Sequence, residues 1–153
     1  MRLSGWTLGC VLGLLLGCAA PGWTQGAPLT VTVDVKPGDD LTDPNPINVK
    51  AHGKTPVALL CDATVPDVTL VDAPTLLLQA TDLAAPGGTE PVRCSVEDVN
   101  EDACLDLVCK FETDEVGVTC ATTSLTLTGE LLDGTLLSGT SLVQPVPCKK
   151  GKP

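Results

Sequence analysis

The sequence predicts an all-β domain, an antiparallel sandwich or small barrel stapled by disulfides. Three observations predict it. Short β-branched runs alternate apolar and polar residues, Gly and Pro punctuate them at close intervals, and no helical apolar period persists. An even set of cysteines downstream of an apolar N-terminal run adds the disulfides.

The first eighteen residues read as a signal peptide. Arg2 supplies a positive n-region, and Leu8 to Leu16 (LGCVLGLLL) is an apolar core too short to span a bilayer comfortably. Small residues follow, Gly17, Cys18, Ala19 and Ala20. Leu15-Leu16-Gly17-Cys18 resembles a bacterial lipobox, in which the cysteine is lipidated and becomes the new N-terminus. Ala19 in place of Asp after it is compatible with outer-membrane sorting, as the resemblance to enteric lipoproteins implies. The competing cleavage lies after Gly26, with Thr24 at −3, and would release a soluble periplasmic or extracellular form. Residues 19–28 then form a flexible tether containing Pro21-Gly-Trp-Thr-Gln-Gly-Ala-Pro28, residues 29–148 one domain, and residues 149–153 a basic tail.

Within the domain, Leu29 to Val35 (LTVTVDV) reads as one half-buried strand. Lys36 to Asn48, rich in Pro and Asp, reads as a loop. Within it, Pro44-Asn-Pro-Ile-Asn48 is expected to be a rigid turn, although Asp39, Asp40 and Asp43 offer a second set of cation ligands. Strands follow at 57–61, 68–71, 75–79, 92–96, 105–111, 124–131 and 136–143, with Asp133-Gly134 as a two-residue hairpin signal. His52 reads as an exposed loop residue.

Charge and rings exclude several partners. Nine Lys and Arg face nineteen Asp and Glu, a net charge of −10, so neither nucleic acid nor an anionic membrane offers counter-charge. Membrane contact is expected only through the lipid anchor. There is no Tyr, Phe111 is the only Phe, and Trp6 and Trp23 both precede the domain. A core built from Leu and Val is expected, and no stacking platform for bases is left.

Of eight cysteines, Cys10 lies in the leader and Cys18 is the lipidation candidate. Cys61, Cys94, Cys104, Cys109, Cys120 and Cys148 remain, an even number that suggests three disulfides in an oxidising compartment. Cys94 and Cys109 lie nearly equidistant from Asp102, so a hairpin would bring them together. Zinc is disfavoured, because no CxxC pair exists and His52 is far from any cysteine.

The chemistry concentrates in Glu97 to Cys109 (EDVNEDACLDLVC). Asp98, Asn100, Asp102 and Asp106 occupy positions 1, 3, 5 and 9 of an acidic loop, and Cys104 at position 7 would lend its carbonyl. Alternate spacing lets oxygen side chains converge on one hard cation, and a flexible all-oxygen set favours Ca2+ over Mg2+. Glu97 or Glu101 could add a ligand. Ala103 stands where such loops place Gly, and Cys109 stands in place of a bidentate Glu. The loop therefore resembles the shorter calcium loops of dockerin, thrombospondin type-3 and integrin-repeat proteins. An affinity of ~10⁻⁴–10⁻³ M is expected, as in extracellular modules.

A broader resemblance rests on four ordered blocks: Val33-Asp-Val-Lys-Pro-Gly38, Asp43-Pro-Asn-Pro-Ile-Asn48, Pro56-Val-Ala-Leu-Leu60, and Glu97-Asp-Val-Asn100 with Asp106-Leu107. Together they resemble a β domain recurrent in secreted bacterial proteins, over roughly residues 31 to 143. That family has no assigned activity, so the resemblance implies a calcium-associated extracellular module. Cys61, Cys104 and Cys109 depart from its pattern.

The expected function is thus non-catalytic: an exported, calcium-binding module of the cell envelope with a structural or interaction role toward an unidentified protein or surface. A secreted hydrolase is the alternative, but one His, no GxSxG and no HExxH leave it without machinery. A disulfide-rich protease inhibitor is the other, supported only by cysteine content.

Overall fold

A computed structural model describes residues 26–38, 44–82 and 88–148. The leader, Cys18, most of the tether, Asp39, Asp40, Asp43 and the basic tail lie outside these residues.

Nine strands form among the described residues: β1 (Leu29–Thr30), β2 (Val33–Val35), β3 (Asn45–Asn48), β4 (Lys54–Leu59), β5 (Leu77–Ala80), β6 (Arg93–Glu97), β7 (Asp106–Glu112), β8 (Ser124–Glu130) and β9 (Leu136–Val146). One sheet is antiparallel, in the order β2-β4-β7-β6. The other runs β1-β9-β8-β5, with β3 also on β9. This second sheet is mixed rather than wholly antiparallel, because β1 and β3 both run parallel to β9. The sheets face each other as a sandwich, and among the described residues no barrel closes.

The core lies between them. Val35, Val57, Leu59 and Phe111 from one sheet meet Leu78, Leu125, Leu127 and Leu137 from the other, all buried. Alternation sends these side chains inward, while the intervening residues face out. Phe111 is fully buried and, among the described residues, is the only aromatic side chain in this core.

Beyond shifts of one to three residues at strand ends, the structure departs from the sequence reading in four further places. Leu29 to Val35 is not one strand. It pairs with β9 as far as Val31, whose N–H donates to Ser138 O, and then joins the opposite sheet, where Thr32 O accepts from Leu60 N. Alternation alone does not reveal the change, because both halves bury the same side of the segment.

The Pro-Asn-Pro-Ile-Asn stretch is strand β3, not a turn. Asn45 and Ile47 are buried while Pro46 and Asn48 are exposed, the period of a strand. Pro46 is tolerated because β3 lies at the sheet margin, where a missing N–H breaks no ladder.

Val68 to Val71 is not a strand either. Val68–Leu70 forms a 3-10 turn, capped by Asp67, whose Oδ1 accepts from Thr69 N at 3.0 Å and Thr69 Oγ1 at 2.6 Å. A capping carboxylate at this position offers the backbone a partner that competes with a ladder. Val71 keeps one isolated bridge, to Leu131.

The β8–β9 hairpin is longer than two residues. Gly134 N donates to Leu131 O and Leu131 N to Thr135 O, with Gly134 at φ +83°. This is a three-residue loop closed by a left-handed glycine.

One glycine is required by packing. A Cβ at Gly139 would lie 2.5 Å from Val31 O and against the Val33 side chain, where the first segment passes from sheet to sheet. Gly139→Ala is expected to cost about 1–3 kcal/mol through overpacking, measured as a lower urea midpoint with unchanged m-value.

Candidate metal centre

The acidic stretch connects β6 to β7. Glu97 and Asp106 form the last pair of that antiparallel ladder, so residues 98–105 are a hairpin loop. Asp98, Asn100 and Asp102 are exposed, Cys104 is half-buried and Asp106 is buried.

Successive Asx turns shape the loop. Asn100 Oδ1 accepts from Asp102 N at 3.2 Å, and Asp102 Oδ1 accepts from Cys104 N at 2.8 Å. Asp98 Oδ2 reaches across to accept from Ala103 N at 3.0 Å, so position 1 closes on position 6. Asn100 Nδ2 donates to Asp102 Oδ2 at 2.9 Å, which joins positions 3 and 5. The curl requires left-handed backbone at two residues, Glu101 at φ +59° and Ala103 at φ +66°. Such values are uncommon outside Gly, Asn and Asp, and holding a residue there costs about 1–3 kcal/mol.

Asp106 is placed differently from the other acids. It has no exposed surface. Its Oδ1 accepts from Cys61 N at 2.8 Å and its Oδ2 from Val99 N at 3.0 Å. One carboxylate thereby joins the start of the acidic loop to the chain that follows β4. Sequence spacing assigned Asp106 only as a ligand and missed this anchoring role. The available signal was a lone acid between Leu105 and Leu107 at the head of an apolar strand.

Disulfides complete the frame. Cys61 pairs with Cys104, so the chain that Asp106 holds by a hydrogen bond is also bonded covalently to the loop. Cys94 pairs with Cys109 directly across β6 and β7, as expected from their distances to Asp102. Cys120–Cys148 lies elsewhere, tying the approach to β8 to the end of β9. All six candidate cysteines are thus paired.

The segment after Cys61 is itself pinned. Asp62 accepts from Thr32 Oγ1 at 2.8 Å, Thr64 N at 2.7 Å and Val65 N at 3.1 Å. Partial burial works to raise its pKa, but the Thr32 hydroxyl and the two amides outweigh burial and hold it below the ordinary aspartate value.

The donors around the loop are all oxygens, which suits a hard cation. Among the described residues, no three His, Cys, Asp or Glu side chains form a cluster able to hold a metal by themselves. Cation binding here would draw on the Asn100 amide and the Cys104 carbonyl besides the acids. The hydrogen bonds leave room for it, since each carboxylate oxygen keeps a second lone pair. His52 is exposed beside Asp114, with Nδ1 3.6 Å from Oδ2, remote in sequence from the loop.

No family model matches the chain, and no curated protein or solved structure matches it either.

Asp106→Asn puts an NH2 group against one of the two amides that the carboxylate accepts from. It is expected to cost about 2–3 kcal/mol, measured by urea denaturation in EDTA. Asp98→Asn, on the exposed side of the loop, should stay within about 0.5 kcal/mol under the same conditions.

Proposed function

We propose that this chain is a non-catalytic, exported β module that binds Ca2+ in the β6–β7 loop, with a structural or interaction role in the bacterial cell envelope. Three disulfides point to an oxidising, extracytoplasmic compartment. The reading of the loop rests on one observation above the others. Ala103 adopts the left-handed conformation that a calcium loop requires at its sixth position, and gives its N–H to Asp98 at the first. Strain at a non-glycine residue is accepted in order to keep that curl, and such strain is concentrated at ligand sites.

Asp98, Asn100, Asp102, Asp106 and the Cys104 carbonyl are the proposed ligands. Calcium would offset the repulsion among the loop carboxylates and stiffen a hairpin already held at both stems. The extracellular family suggested by the Val-Asp-Val-Lys-Pro-Gly and Pro-Asn-Pro-Ile-Asn blocks agrees with this role. The anchor is the lipid carried by Cys18.

At a hundredfold excess over Kd, calcium is expected to stabilise the oxidised domain by about 2.7 kcal/mol, a rise in Tm on the order of 10 °C. Asp98→Ala and Asp102→Ala should abolish the rise, and an unchanged Tm in the parent domain would remove the calcium reading. Mass spectrometry of the mature N-terminus is expected to find an acylated Cys18; a free N-terminus near Ala27 would replace the anchor with ordinary secretion.

A further inference from the structure

Strand β6 closes one end of the antiparallel sheet, and among the described residues no strand pairs with its outer edge. An open notch lined by Ala73, Pro74, Glu90, Pro91, Arg93 and Cys94 adjoins it. Cys94 and Cys109 have Cα atoms 4.1 Å apart, nearer the ~4.5 Å of a non-hydrogen-bonded pair than the ~5.5 Å of a bonded one. By the alternation of an antiparallel ladder, the N–H and C=O groups of Cys94 and Val96 therefore point away from β7, toward solvent.

The side chains along this edge are self-complementary. Arg93, Ser95 and Glu97 share one face of β6, with a cation at one end and an acid at the other. Arg93 stands directly opposite Lys110 on β7, a like-charge pair that is unfavourable as it stands. Among the described residues the ion pairs are His52–Asp114 and Lys54–Glu112, and neither relieves it. The Glu97 carboxylate accepts from Ser95 Oγ at 2.5 Å, so it lies along its own strand face rather than over the acidic loop. On the opposite face Val96 is 42% exposed, an apolar side chain at a margin that the second sheet leaves uncovered.

We infer that β6 pairs antiparallel with β6 of a second copy of this chain, about a two-fold axis at Ser95. In that register Cys94 and Val96 exchange backbone hydrogen bonds across the axis. Arg93 of each copy then meets Glu97 of the other at a non-hydrogen-bonded position, where opposed side chains come closest. The acid arrives beside the Arg93/Lys110 pair and balances it, and Val96 is covered by Cys94 of the other copy. An isologous contact of this kind closes on itself as a dimer and propagates no fibre. The contact uses backbone and side chains outside the proposed ligand set, so it stands apart from the calcium reading.

Sedimentation equilibrium of the oxidised domain in EDTA over a micromolar to millimolar series tests it. A monomer–dimer equilibrium is expected, weakened about tenfold or more by Arg93→Glu and likewise by Glu97→Arg. An equimolar mixture of the two variants should associate again, because each restores the opposite charge to the other, an outcome that a change confined to one chain does not produce. A monomer at every concentration overturns the proposal. So does a dimer indifferent to Arg93→Glu, or variants that fail to associate when mixed while circular dichroism shows both folded.

Discussion

The buried carboxylate of Asp106 is the interaction on which the acidic hairpin depends. Its two oxygens take the amides of Cys61 and Val99, and those amides belong to segments that no ladder joins. A charged group fully withdrawn from water is favourable only when it is well hydrogen-bonded, and here both oxygens are. The Cys61–Cys104 bond fastens the same two segments a second time. The exposed acids can therefore crowd into one turn without the hairpin opening, because its base is fixed by a charge-assisted clamp and a covalent link.

The rest of the sandwich shows how a domain almost without rings is held. Among the described residues Phe111 is the only aromatic side chain in the core, so the core relies on close approach of aliphatic side chains. Close approach in turn dictates glycine at 139, where the crossing segment presses backbone against backbone. The disulfides tie β6 to β7, the chain after β4 to the acidic loop, and the approach to β8 to the end of β9. Each restricts the unfolded chain and adds stability that such a core does not supply by itself.

The sequence and the structure agree where a side-chain pattern has a single geometric meaning. Alternation through 124–131 and 136–143 marked the hairpin strands, and Gly134 marked the turn between them. The distances of Cys94 and Cys109 from Asp102 implied a cross-strand pair, which the ladder contains. They part where one pattern admits two partners. Leu29 to Val35 alternates throughout, yet its two halves bond to different sheets. Asn45 to Asn48 holds three turn formers, yet the burial of Ile47 holds it in a ladder.

By itself, the sequence determined the all-β class, the even set of cysteines and the oxygen-rich spacing from Asp98 to Asp106, since each follows from residue type and local period. Tertiary structure decided the parallel pairing of β1 and β3 with β9, the partners of Cys61 and Cys120, and the division of labour among the loop acids. Those outcomes depend on which distant backbone groups come into reach. An aspartate cannot announce from its neighbours in sequence that its oxygens will be met by amides forty-five residues before it and seven residues before it.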